Sequence, residues 1–174
     1  MPNKLSNNLS EDRTMIREAQ QSDGNALAQI YNYYIEESVV TFEEETITAE
    51  EMSRRIGALA ETRPWLVVEE DSEVLGYAYA SQWHGRCAYR YSVESSVYLD
   101  HRAGGEGLGS RLYESLLERL RSEGLHVVIG GIALPNPASV ALHEKFGFKK
   151  AAHYEEVGFK FGKWIDVGYW QLKL

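Results

Sequence analysis

Between the strand-like run SSVYLD and the helix-like run RLYESLLERLRSEG the chain reads GGEGLGS, Gly104 to Ser110, with four glycines in six residues. Glycine loses more backbone entropy on folding than any other residue, so such a cluster needs a reason. A strand, a glycine-rich bend and a helix together make an anion site. The first N–H groups of the helix point outward unpaired, and the helix dipole adds partial positive charge. The same bend also serves a chain that needs only a tight turn, and taken alone it leaves the two readings equal. The two common nucleotide motifs do not fit. Gly104 and Gly109 have the P-loop separation, but Ser110-Arg111 follows where that loop requires Lys. Gly105 and Gly107 start a dinucleotide fingerprint, but Ser110 stands in its last glycine position. The next strand ends in Gly130-Gly131, where that fold wants an acid.

The rest of the chain says what surrounds the bend. Residues 1–13 are polar and read as a loose tail, leaving 14–174 for one domain, since 174 residues hold one full core and not two. TMIREA predicts a short first strand and SDGNALAQIYNYYIEES a helix. VVTFEEET predicts an aromatic and acidic connector. TAEEMSRRIGALAET predicts a second helix with Thr48 and Glu51 as a capping box. WLVVEED and SEVLGYAYASQW read as strands around an Asp-Ser turn, and AYRYSVESSVYLD as one long alternating strand. Leu108, Leu112, Leu116 and Leu120 form a helical stripe after the bend, and GLHVVIGGIAL reads as a central strand covered on both faces. Asn136 and Pro137 open a helix that Gly147 closes, and two final strands turn at FGKW. The fold class is α/β (α+β), a single domain with a mixed central sheet and helices on both faces.

Composition narrows the function. A net charge of -8 argues against nucleic acid, whose binding rests on neutralising phosphates. The longest apolar run, HVVIGGIALP, is about half a membrane span. MPNKLSNNLSEDR has no apolar core, so it does not read as a signal peptide. The only cysteine, Cys87, rules out an intrachain disulfide and makes the cytoplasm the expected location. It lacks a nucleophile motif and reads as structural. His126 and His153 have no metal-ligand spacing, so no metal is expected.

The bend resembles the Q/R-x-x-G-x-G/A acyl-CoA signature of the GCN5-related N-acetyltransferase (GNAT) family, in the register Gly104-Gly105-Glu106-Gly107-Leu108-Gly109, with Gly104 in place of the family's Gln or Arg. NPASVALHEKFGF is similar to the family's second CoA motif. IYNYYIEESVVTF, RPWLV, AYRYSVESSVYLDHR, GLGSRLYESLL, LPNPASVALHEKFGF and GFKFGKWIDVGYWQL together look like the phosphinothricin and methionine-sulfoximine branch of that family, over roughly residues 14–174. The resemblance implies acetyl-CoA as co-substrate, held by the loop amides from Gly105 through Glu106, Gly107, Leu108 and Gly109 to Ser110 and by Asn136. Arg102 or Arg111 would supply the charge that Gly104 cannot. It also implies a homodimer, and the aromatic C-terminal hairpin suits an interface.

The implied chemistry is direct attack of an amine on a thioester. The amine must be neutral, so a general base is useful. Glu94 stands where the resembling enzymes carry an active-site glutamate. Alternation puts Arg90, Ser92, Glu94 and Ser96 on one strand face. A bulge at Ser95-Ser96 would splay two strands and free an amide among Val97, Tyr98 and Leu99 as oxyanion donor. His143, seven residues after Asn136 on the same helical stripe, is the candidate donor to the departing thiolate. His84, Gly85 and Arg86 are placed by resemblance in the substrate pocket, with Glu94, Ser95 and Ser96 opposite. Arg86 and Arg90 suit an acceptor's carboxylate or phosphinate. The expected acceptor is the α-amine of a small amino-acid-like acid such as phosphinothricin, methionine sulfoximine or methionine sulfone. The alternatives are another amine (a protein N-terminus or a polyamine) and a non-catalytic acyl-CoA sensor.

Overall fold

The computed structural model describes residues 14–103 and 107–174. The expected tail and the positions Gly105 and Glu106 lie outside the described residues. Seven strands form one sheet in the order β1-β2-β3-β4-β5-β7-β6. They are β1 (Thr14–Glu18), β2 (Trp65–Glu70), β3 (Glu73–Gln82), β4 (Ser92–Leu99), β5 (Val127–Leu134), β6 (Lys149–Lys160) and β7 (Lys163–Lys173). Every neighbouring pair is antiparallel except β4 and β5. The tight turns at Asp71-Ser72 and Phe161-Gly162 take positive φ, the mirror-image turn geometry that matches strand twist.

Helices α1 (Gly24–Glu37) and α2 (Ala49–Ala60) cover one face. Leu27, Ile30, Ile35, Met52 and Ile56 pack there on Trp65, Val67 and Tyr77. Helices α3 (Leu108–Ser122) and α4 (Pro137–Lys145) cover the other. On this side Leu108, Leu112, Leu116 and Leu120, the stripe read from the sequence, are at most 3% exposed and pack on Val68, Ala78, Val93 and Val128. Truncating any one of the fully buried leucines to Ala is worth about 2–5 kcal/mol, because the helix cannot collapse into the space left. No helix among the described residues is long and apolar enough to cross a membrane.

The caps follow the sequence with one change. Asn136 accepts a bond from the Ser139 amide and Gly147 takes φ 87° past the end of α4. Thr48 accepts from the Glu51 amide, but the Glu51 carboxylate turns to Arg54 and Arg55 instead of closing the box. The long strand predicted over 88–100 is shorter. Residues Cys87–Tyr89 form a 3₁₀ turn and β4 begins only at Ser92. The cause is local: the Arg90 guanidinium bonds the Cys87 carbonyl and lies over the Tyr91 ring, while the Arg90 carbonyl accepts from Arg63. Arg90 therefore does not share the strand face of Glu94.

Candidate functional site

β4 and β5 pair for three residues only, Ser92 with Val127, Val93 with Val128 and Glu94 with Ile129. Both strands run on. β4 stays on β3 as far as Leu99, and β5 stays on β7 as far as Leu134. Above Glu94 they part and leave a wedge in the sheet. The register of β4 on β3 is constant, with no bulge at Ser95-Ser96. The expected splay exists, but it comes from the early end of the parallel pairing.

The bonds from the Trp83 amide to the Ser92 carbonyl (3.2 Å) and from the Asp100 amide to the Leu75 carbonyl (2.8 Å) fix the phase of β4. Even-numbered residues turn their backbone to β3, and Ser95, Val97 and Leu99 turn theirs to the wedge. The Val97 and Leu99 amides are thus the donors on that edge, while Tyr98 spends its amide on β3 and its ring on Tyr31, Tyr34 and Tyr77. The Tyr34 hydroxyl donates to the Leu99 carbonyl at 2.7 Å, which satisfies one wedge-facing acceptor.

On the α3–α4 face the wedge opens into a cleft of about 570 Å³, lined by Val97 and Leu99, by Gly107 to Ser110, and by Asn136, Ser139, Leu142 and Lys145 of α4. Gly107 caps α3 with φ 73°, a conformation glycine takes without strain. Among the described residues the first helical bond from this end runs from the Arg111 amide to the Gly107 carbonyl, so the amides of Leu108, Gly109 and Ser110 face the cleft mouth. Arg111 is engaged with Thr14, and Arg102 with Asp100 and Glu73. Among the described residues the cation lining the mouth is Lys145, whose Nζ donates to Ser110 Oγ at 2.9 Å. A lone Lys near a helix end carries no motif, which is why the sequence did not single it out.

Glu94 stands at the vertex of the wedge and projects to the α1–α2 face, since Val93 and Val97 belong to the opposite core. Burial pushes its carboxyl above the ordinary value, and nearby His84 pulls it the other way. Gly131 of β5 clears the space beside it: a Cβ there would lie 3.0 Å from Glu94 Oε1 and 3.1 Å from the Tyr169 ring. Trp83 and Tyr154 pack edge-on against Tyr169, and His84 lies between Trp83 and Tyr89. Ser96 shares this face, opposite Tyr79 in the register. Ser95 does not. Its hydroxyl is buried on the other side, 2.7 Å from Tyr113 Oη. Gly85 and Arg86 are exposed, and neither Arg86 nor Arg90 pairs with Glu94 among the described residues.

His143 turns inward from α4 and is 6% exposed, between Tyr113 and Phe148 and over Gly130. Its Nδ1 lies 2.7 Å from the Ser139 carbonyl, so Nδ1 carries the proton and Nε2 is the open nitrogen. Burial lowers its pKa, and the bond to Ser139 opposes that. Gly130 leaves the room this ring needs; a Cβ there would overlap it.

A sheet split at one parallel seam, with backbone amides turned to the split and a helix N-terminus at its mouth, can take a long anionic ligand between its strands, as a group-transfer enzyme with a carrier co-substrate would need. A model of the GNAT acetyltransferase domain matches residues 16–168, and the chain belongs to that family. It is an acetyl-CoA-dependent N-acetyltransferase. A phosphinothricin N-acetyltransferase of Streptomyces viridochromogenes is 43% identical over 156 residues, covering 90% of this chain and 85% of that one. An L-methionine sulfoximine/L-methionine sulfone acetyltransferase of Salmonella typhimurium is 36% identical over 91% of this chain and 94% of its own. The acetyl-CoA complex of a GNAT superfamily phosphinothricin acetyltransferase from Sinorhizobium meliloti superposes with TM-score 0.89 at 34% identity, covering 93% of this chain and 89% of that chain. The cleft residues fit the co-substrate. Helix amides and Lys145 suit a diphosphate, and the β4 edge and the Asn136 side chain suit an amide-bearing arm.

Proposed function

We propose that the acceptor is the α-amine of a small amino-acid-like acid, phosphinothricin, methionine sulfoximine or methionine sulfone, and that Glu94 is the general base. One observation carries this reading: a carboxylate at the vertex of the wedge, half-buried and raised in pKa, where the two strands part. The names of the relatives support the substrate class. Acetyl-CoA supplies an activated acyl carbon. Glu94 takes the proton that leaves the ammonium, directly or through one water. The Val97 and Leu99 amides meet the negative charge that develops on the acyl oxygen. His143 returns a proton to the thiolate through Nε2. Its ring rests neutral, so Nε2 must first take that proton, the second one the attacking nitrogen sheds as the amide forms, and its share of the rate is smaller than that of Glu94. His84, Gly85, Arg86 and Arg90 lie on the segment that enters β4 from the acceptor side, and Arg86 is the cation we assign to the acceptor's acid group. The same reading places the enzyme in the cytoplasm and makes it a homodimer. The exposed aromatic residues Phe159, Phe161 and Trp164 on the C-terminal hairpin favour the latter.

A thiol-release assay with acetyl-CoA over a panel of amino acids, peptide N-termini and polyamines tests the reading. Phosphinothricin, methionine sulfoximine and methionine sulfone are expected to lead the panel. Turnover confined to peptides or polyamines overturns the substrate assignment.

A further inference from the structure

The segment from Ser38 to Thr48, which joins α1 to α2, has no regular secondary structure, yet it is tied down along its length. Tyr31 Oη lies 2.7 Å from Thr41 Oγ1 and donates to Glu43 at 3.0 Å. Arg55 grips the same Glu43 carboxylate with two nitrogens, at 2.7 and 3.1 Å. Asn32 exchanges two bonds with the Ile47 backbone. The segment lies on the face of the sheet to which Glu94 projects, because it links the two helices that cover that face. Val40 reaches the cleft wall, and the ring of Phe42 lies directly on the backbone of Gly158 in β6.

Lys160 is the tie that comes from elsewhere in the chain. It ends β6, is 1% exposed, and donates from Nζ to the Thr41 carbonyl at 2.8 Å and to the Tyr34 carbonyl at 3.5 Å. Among the described residues no carboxylate forms an ion pair with it, and Glu44 is the acid that acts on its charge from farther off. A buried ammonium is costly to desolvate, and here carbonyl oxygens and the Phe161 ring, 5.0 Å away, are its compensation. A methionine would fill that volume without the cost. The charge is therefore spent on holding two pieces of backbone, the last turn of α1 and the middle of the connecting segment, against the C-terminal hairpin.

We propose that Lys160 is a positioning residue for the acceptor: it fixes the 38–48 segment as the roof over the Glu94 side of the wedge, and with it the place of Phe42. The proposal rests on the reading of Glu94 as the acceptor side. The same face gathers Tyr154 and Tyr169, the latter against Gly131 beside Glu94, so the segment shares this side of the sheet with β5 and the hairpin.

The test is Lys160→Met, compared with wild type for acceptor KM, kcat and acetyl-CoA affinity by calorimetry. The acceptor is whichever amine of the panel wild type turns over best, so a wrong substrate class shows in the wild-type panel and a wrong role for Lys160 shows only in the variant. Losing the tie is expected to raise acceptor KM about five- to tenfold, the cost of ordering a freed loop on binding, and, because Tyr34 and Val40 also line the cofactor cleft, to weaken acetyl-CoA by a clearly smaller factor, about two- to threefold. A merely structural lysine lowers the melting temperature but leaves acceptor KM where it was; that result, or equal losses in both affinities, overturns the proposal. Gly158→Ala is the second route, since its added methyl displaces Phe42 without touching Lys160. It should reproduce the rise in acceptor KM. If Lys160→Met fails to fold, an unchanged acceptor KM in Gly158→Ala overturns the proposal and a raised one supports it.

Discussion

The cofactor side of the wedge and its acceptor side are built from different materials. The cofactor side uses backbone. On the reading proposed above its donors are the amides of Val97, Leu99 and the first turn of α3, and among the described residues the charged side chain lining the mouth is Lys145. On the same reading the acceptor side uses side chains drawn from the whole chain: the 38–48 segment, Trp83 and His84, Glu94, Tyr154 and Tyr169, with Gly131 leaving room beside Glu94. A group that every relative must hold alike can be held by main chain, whose geometry the fold fixes. A group that differs between relatives is held by side chains, which can change without disturbing the sheet.

The largest expected effect separates the two sides. Glu94→Gln should lose about 10²–10⁴ in kcat, the range for a general base, while acetyl-CoA affinity by calorimetry stays put. The raised carboxyl sets the signs of two pH effects. Activity should fall as pH drops through a pKa above the ordinary glutamate value, and Glu94→Gln should lose that limb. An acid raised on folding contributes stability below its unfolded pKa and gives it up as pH rises through the folded one. At neutral pH the glutamine variant should therefore melt no lower than wild type. Wild-type turnover by this variant would break the division.

His143→Asn comes next. It should cost about tenfold in kcat per folded molecule, short of a full general acid, with acceptor KM unchanged. An effect as large as that of Glu94→Gln would move the proton chemistry to the cofactor side. Lys145→Met should weaken acetyl-CoA about five- to tenfold, less at high salt, and leave acceptor KM alone; the figure is a charge-assisted contact discounted for exposure. Smallest is Arg90→Ala, expected within about twofold in every constant, since the guanidinium serves its own turn. A large rise in acceptor KM there would bring Arg90 back to the substrate.

The same contrast explains what could be read from the sequence. Periodicity gave the α3 stripe from Leu108 to Leu120, the Asn136 cap and the order of elements, because each is a local pattern. The bend at Gly107 was legible from its glycines, and Glu94 was singled out through the family resemblance. Lys145, Lys160, Tyr169 and the Phe42 contact were not, since each matters through a partner 35 or more residues away or through a face that no local pattern shows. Ser95 was placed beside the acceptor through the resemblance and an expected bulge; with no bulge, plain alternation turns it to the α3 side. The wedge was foreseen but not its cause: where two parallel strands stop pairing is set by the strands beyond them, β3 and β7.

With only three rungs joining β4 to β5, the sheet is mechanically two antiparallel sheets, of four strands and of three, stitched along one short seam. Widening the slot breaks no ladder bond, because none was formed there. Breathing of the molecule should gather at this stitch, where the amides of residues 93, 95, 127 and 129, which face the seam, would exchange with solvent sooner than those of β2 and β3 buried in the larger half.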